Sequence, residues 1–354
     1  MKKLFGYIAI WLAFFFMVAV SYEDGESFCV IFPQSGRDMF GVAQRTILFF
    51  GEKKVSLIPQ VHFEGDARDF GILVPVPAEP RLSTVGANIF TDASFLTQPI
   101  MRQSSQGCGC DESDQVIGPM FRLETAADGD LVEERDGDVT VIFEEIVGMF
   151  QAVVLQATSA DDLVQWLSDN NYHFDPADSQ VLEEYVTRNW FFVAMKLDTT
   201  QVPPLIDPWW NATTSPAKIT FDYDDTTLTY PLKISAISTK ERVEVLVYTI
   251  GPDPMRFPGA KVEYANEITD DEADAIAERY FTLSQFITPG VFVTKLRRSF
   301  AKSEMQQDID IFATDDRREF RDIRYVNNGG FGFVGILVLA LVMLISRGKF
   351  DLKK

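Results

Sequence analysis

Two cysteines one residue apart are the most reactive pattern in the chain. Cys108-Gly109-Cys110 sets two thiols close together in a Gly- and Ser-rich stretch, Ser104 to Asp111. A close thiol pair is what thiol–disulfide exchange uses, and an exported domain can hold disulfides. Exchange needs a thiolate, which a positive neighbour or a helix start would favour. The neighbours here are Asp111, Glu112 and Asp114, which oppose ionisation. The third cysteine is Cys29 and the histidines are His62 and His173, too thin an inventory for a Cys/His zinc site. Both histidines read as structural or loop residues. Oxygen-rich turns are more abundant: Asp128-Gly129-Asp130, Asp136-Gly137-Asp138 and Asp222-Tyr223-Asp224-Asp225. None matches the calcium loop of about twelve residues with glycine sixth and glutamate twelfth. Solvated acidic turns are the first reading and a structural calcium site the alternative; no cofactor is expected.

Other chemistry is thinner still. The chain has no Gly-x-Ser-x-Gly elbow, no phosphate-cradling glycine loop and no His-Glu-x-x-His. Two histidines leave little for general acid–base work, and carboxylate pairs stay open. Trp209-Trp210 is either a binding platform or a pair packed under its loop, and packing is preferred. Asn211-Ala212-Thr213 is a formal glycosylation sequon that we read as chance. No catalytic, cofactor or metal residue is assigned, and the disulfide candidates are Cys29, Cys108 and Cys110.

Charge narrows the partners. The 354 residues carry a net charge of −20 with 46% hydrophobic residues, a globular composition. Residues 22–328 hold 26 Lys and Arg against 51 Asp and Glu. Such a surface is a poor nucleic-acid binder, because phosphate contacts need cations, and it is repelled by anionic lipid heads. It reads as a self-repelling soluble surface, with cation or basic-partner binding as the sharper alternative.

The elements that must position these residues are mostly strands. Thr46–Phe50, Val55–Phe63 and Phe70–Pro75, with turns at Gly51–Lys54 and Glu64–Asp66, read as a β-meander. Pro75 to Pro80 is an extended connector, and residues 81–138 are weakly patterned and hold any internal boundary. Val139–Phe143 and Ala152–Leu155 read as strands. Ser159 caps a helix whose apolar face is Leu163, Val164 and Leu167, and Asp175-Pro176 starts a second carrying Val181, Leu182, Tyr185 and Val186. Trp190–Leu197 is a nearly continuous apolar strand suited to a sheet centre. Strands follow at Lys218–Tyr223, Leu228–Ile237, Val243–Ile250 and Ala260–Tyr264. Thr269-Asp270-Asp271-Glu272 is a capping box opening a helix that turns Ile276, Ala277, Tyr280, Leu283 and Phe286 inward. Val291–Leu296 is the last clear strand, and residues 299–328 are polar.

Several of these segments, taken in order, resemble a bacterial family, domain of unknown function number 2330. They are Phe28-Cys29, Gln44 to Pro77, Ala152 to Tyr172, Trp190 to Leu197, Tyr230 to Ser238 with Val243 to Tyr248, and Thr294 to Arg298 with Met305 to Ile311. The resemblance implies an exported domain, often with a C-terminal membrane segment. It implies no known activity, so no catalytic residue carries over. It also implies a bridge from an early cysteine to one after the meander, here Cys29 to Cys108 or Cys110. The Cys-Gly-Cys doublet departs from that pattern and leaves the pairing open.

Both ends are apolar. Lys2 and Lys3, the run Leu4–Val20 and the small residues Ala19 and Ser21 make residues 1–21 a signal peptide cleaved before Tyr22, with an uncleaved anchor as the alternative. Gly329–Ser346 has no charged residue and precedes the basic tail 347–354. Eighteen residues reach only about 27 Å, enough for a thin bilayer. The expectation is an α+β body, mostly antiparallel with a few short amphipathic helices, spanning 22–328, plus a transmembrane helix at 329–346. That makes a single-pass cell-membrane protein with its body outside and its C-terminus cytoplasmic, since the N-terminal signal sends the body out. The expected partners are the bilayer, through that helix, and an envelope protein or ligand, with no nucleic acid. The lead function is a non-enzymatic envelope domain that binds or organises other components. The alternatives are a thiol–disulfide exchange enzyme using Cys108 and Cys110, or a surface protein displayed through a processed C-terminal sorting signal.

Overall fold

The computed structural model describes residues 30–33, 39–65, 70–103, 134–136, 139–148, 150–170, 172, 174, 178–197, 217–223 and 227–326. The chain divides into two compact units, residues 1–97 with 126–320, and residues 98–125 with 321–354.

Strands β1 (Val30–Pro33), β2 (Met39–Gly51), β3 (Lys54–Gly65), β4 (Phe70–Val76) and β5 (Arg81–Thr84) come first, then helix α1 (Ile89–Leu96) and strand β6 (Ile100–Gln103). Next are β7 (Glu134–Asp136), β8 (Val139–Val147) and β9 (Phe150–Ala157), the helices α2 (Ala160–Asp169) and α3 (Ser179–Thr187), and β10 (Phe191–Leu197). The second half runs β11 (Ala217–Asp222), β12 (Thr227–Tyr230), α4 (Leu232–Ser235), β13 (Arg242–Gly251), β14 (Met255–Arg256) and β15 (Lys261–Glu267). It continues through α5 (Asp270–Arg279), α6 (Phe281–Ser284), β16 (Phe292–Ala301), β17 (Ile309–Ala313), β18 (Phe320–Arg321) and β19 (Ile323–Val326).

Alternation along the strands sorts the side chains into layers. One sheet is antiparallel, in the order β1-β4-β10-β9-β8-β7. The larger sheet contains the run β15-β16-β13-β2-β3-β11-β5, antiparallel except where β13 and β2 pair in parallel. Ile72, Val74, Val154 and Val193 of the first sheet share one core cluster with Leu48, Val55, Val245 and Leu296 of the second, so the sheets stack face to face. The alternate residues Leu73, Val153, Leu155 and Phe192 pack outward under α2 and α3. Ile47, Ile58, Leu246, Tyr248 and Val293 do the same under α1, α5 and α6. The result is helices, sheet, sheet, helices. Central strands are thus buried on both faces, which is why Phe191–Met195 of β10 and Val245–Tyr248 of β13 are unbroken apolar runs. A three-stranded sheet, β12-β17-β14, adds Leu228, Tyr230 and Ile311 to the shared cluster. In the second unit, β6 and β19 form a parallel pair.

Local stops agree with local chemistry. The Ser159 hydroxyl accepts the Asp162 N–H at 3.2 Å and starts α2. The Thr269–Glu272 capping box is complete at the start of α5. Gly71 is required by a close approach: a Cβ there would lie 2.3 Å from the buried Tyr172 ring, which lies against β4 and stacks on Trp166.

Four expectations are corrected. The fold is mostly β with a mixed main sheet, not an α+β body. No helix among the described residues is long and apolar enough to cross a membrane; the longest have ten residues, about 15 Å, and lie on sheet faces. The expected C-terminal transmembrane helix is therefore not supported, and Gly329–Ser346 lies outside the described residues. The meander also breaks. β2 and β3 form the hairpin, but β4 pairs with β1 and β10 in the other sheet, because hydrophobic pattern specifies a strand and not its neighbour. The strand expected over Leu228–Ile237 ends at Tyr230. Pro231 has no N–H to give a ladder, and the chain turns into α4.

Candidate functional site

The most specific constellation is built where α1 and α6 meet above the larger sheet. Ile89, Phe90 and Ala93 of α1 bury themselves with Tyr248 and Leu283. That leaves Asp92 buried on the α6 side of α1, accepting the Leu283 backbone N–H at 3.3 Å and a second hydrogen bond from the Thr282 backbone. A helix start has unpaired N–H groups and a partial positive charge, so a carboxylate there closes α6 onto α1. Burial raises the Asp92 pKa above the usual carboxylate value, and the two backbone donors only partly offset it. Packing at the junction is tight, since a Cβ on Gly86 would come within 2.8 Å of the Thr282 methyl. Two large apolar side chains flank this clamp in solvent. Phe95, one turn along α1, is 47% exposed, and Phe281, at the start of α6, is 77% exposed.

Beneath α1 a polar track runs along the sheet. The Tyr248 hydroxyl hydrogen-bonds the side chains of Ser94 and Thr97, and burial pushes its pKa up to about 12. The Lys295 ammonium lies 5.7 Å from the Tyr248 ring centroid and 3.2 Å from Glu263. Glu263 sits at the bulge between Val262 and Tyr264, which aims it at β16. There it also accepts from Arg297 Nε at 2.8 Å, and Arg297 in turn pairs with Glu244 of β13. Lys295 and Glu263 are both buried, and each offsets the other's desolvation. This track joins three strands electrostatically.

A second buried carboxylate, Asp308, fastens the α3–α4 side. Its Oδ1 accepts from the Tyr185 hydroxyl at 2.8 Å and from the Lys233 N–H at 3.0 Å, and Arg188 lies 3.6 Å from Oδ2. Burial raises the pKa of both Asp308 and Tyr185. The arrangement ties α3, the start of α4 and the segment before β17 together.

Among the described residues, none of those singled out for chemistry enters these clusters. Cys29, Cys108, Cys110, His173, Trp209 and Trp210 lie outside the described residues, as do Asp128, Asp130, Asp138, Asp224 and Asp225. His62 lies on β3, and Asp222 ends β11 with its side chain exposed. Among the described residues, no group of His, Cys, Asp and Glu could hold a metal ion. Asp92, Asp308, Glu263 and Phe281 went unremarked in the sequence. Asp92 belongs to the weakly patterned stretch 81–138, and Glu263 is aimed by a bulge no spacing rule reveals.

The ordered segments that form this framework also define a family. A family model described as an uncharacterized protein conserved in bacteria (DUF2330) matches residues 24–312. The chain belongs to that family. The match covers the first sheet, the run β15-β16-β13-β2-β3-β11-β5 of the larger one and all six helices described above, so the helix clamp and the polar track are built on the family's own domain. No curated protein matches the chain. Among solved structures it is similar to baculovirus P35, at 12% identity over 84% of this chain and 100% of that one, with a TM-score of 0.32. A mutated baculovirus P35 after caspase cleavage matches at 9% identity over 77% of this chain and 99% of that one, also with a TM-score of 0.32. TM-scores this low do not establish a shared fold, and these similarities carry no argument.

Proposed function

We propose that this member of the family is an exported, non-enzymatic domain that binds another component of the cell envelope. The observation that carries the reading is the pair Phe95 and Phe281, large apolar side chains held in solvent by a buried carboxylate clamp. Exposing a phenylalanine forgoes roughly 2 kcal/mol of burial, and fixing it on a packed junction keeps that surface ready for a partner. The polar clusters support the same reading: their charges are directed at one another and at backbone groups, as in a scaffold. Export is supported by the basic start, apolar run and small-residue site of residues 1–21.

Two measurements on the full chain in a bacterial host test this. Protease added outside intact spheroplasts is expected to degrade the body; protection of the body would refute export. Native gel migration of mildly solubilised envelopes is expected to show a complex larger than the chain, reduced by Phe281→Ser at unchanged abundance. An unchanged complex in that variant, or none in the wild type, would refute the binding reading.

A further inference from the structure

Helix α5 leads directly into the exposed phenylalanine, and its charges are acidic apart from Arg279 in the last turn. Ile276 is its only buried residue. Asp270, Asp274 and Glu278 are all exposed and follow one another at intervals of four, so they line one face. Asp271 is exposed beside them. Like charges four apart destabilise a helix, and the usual remedy is a lysine or arginine at that spacing. None of these four acids forms an ion pair with a described residue. Asp270 and Asp271 gain from the positive helix start, but Glu278 stands in the last turn, where a negative charge is unfavourable. Phe281 follows three residues after Glu278, and Asp92 fastens its helix to α1, which carries Phe95. Along the chain, then, an exposed acidic row runs into an exposed apolar residue held on a packed junction.

We infer that the α1–α5–α6 face docks a basic amphipathic segment of another envelope protein, with Phe281 and Phe95 covered by its apolar side and Asp270, Asp274 and Glu278 paired with its lysines or arginines. The inference deepens the binding reading above and rests on it. Charge complementarity selects this occupant. A second copy of the chain would bring the same acidic row against itself, and anionic lipid heads would be repelled by it.

The probe is a fluorescein-labelled 18-residue peptide of lysine and leucine with leucines at helical spacing, alongside a scrambled peptide of the same composition. Binding to the full chain is measured by anisotropy. The ordered peptide is expected to bind at least tenfold more tightly than the scrambled one and to weaken with added salt. Phe281→Ser and the pair Asp274→Asn with Glu278→Gln are each expected to weaken it about tenfold, at unchanged circular dichroism and with no loss of Tm. Asp161→Asn, on α2 across the sandwich, is expected to leave it unchanged. Equal binding of both peptides, or no loss in the Phe281 and acidic variants, overturns the inference. So does a Phe281-dependent dimer in ultracentrifugation, or Phe281-dependent binding to phosphatidylcholine vesicles. If the peptide fails while the envelope complex still depends on Phe281, the general binding reading stands and the basic partner falls; if that complex also fails, both fall.

Discussion

Tyr185→Phe removes one hydroxyl and little else. The ring stays buried, 5.3 Å from Trp190, so the packing is retained and the change removes the hydroxyl's hydrogen bonds, the one to Asp308 and the one with the Ile234 backbone. A hydrogen bond to a charged group contributes roughly 1.5–3 kcal/mol and one between neutral groups about 0.5–1.5. Asp308 keeps the Lys233 N–H at 3.0 Å and Arg188 at 3.6 Å, so the loss should sit near 2 kcal/mol at neutral pH. The sign of the pH dependence follows from burial, which lifts the Asp308 pKa above its ordinary 3.8 in the folded chain. The folded state then holds a proton that the unfolded chain has released, so this site's contribution to stability falls as pH rises from 3.8 through the folded value. Removing the hydroxyl removes a donor that favours the carboxylate and deepens that fall. The penalty should therefore be largest near pH 7 and shrink toward about 1 kcal/mol near pH 4. Urea unfolding followed by tryptophan fluorescence at both pH values measures it. A loss below about 0.5 kcal/mol at pH 7, or the same loss at both, would refute the reasoning.

Other perturbations probe the rest of the framework. Glu263→Ala leaves Lys295 buried without its carboxylate and should cost about 3–5 kcal/mol, most of it recovered when Lys295→Met is added; urea midpoints of the single and double variants test this. Gly71→Ala drives a methyl into the Tyr172 ring and should cost about 1–3 kcal/mol, read as a drop in Tm. Thr269→Ala breaks the α5 capping box and should cost about 1 kcal/mol, with faster amide exchange at Glu272 and Ala273.

Local chemistry was legible wherever a rule acts over a few residues. Ser159 and the Thr269–Glu272 box start helices as their sequence requires, and Trp190–Leu197 supplies β10 between β4 and β9. Pairing was not legible. The same alternation that makes Phe70–Val76 a strand fits either sheet, and only burial of both its faces assigns it to β1 and β10. The helix expected to continue through Phe286 breaks at Tyr280, where a non-helical backbone (φ −127°, ψ 64°) frees N–H groups at the start of α6, and Asp92, some 190 residues earlier, closes it. By itself, then, the sequence determined that this is an acidic, strand-rich chain with particular helix caps, because periodicity, capping and charge are local properties. Only the tertiary structure decided which carboxylates are buried and which phenylalanines are left in solvent. Both depend on what the other half of the chain brings against them.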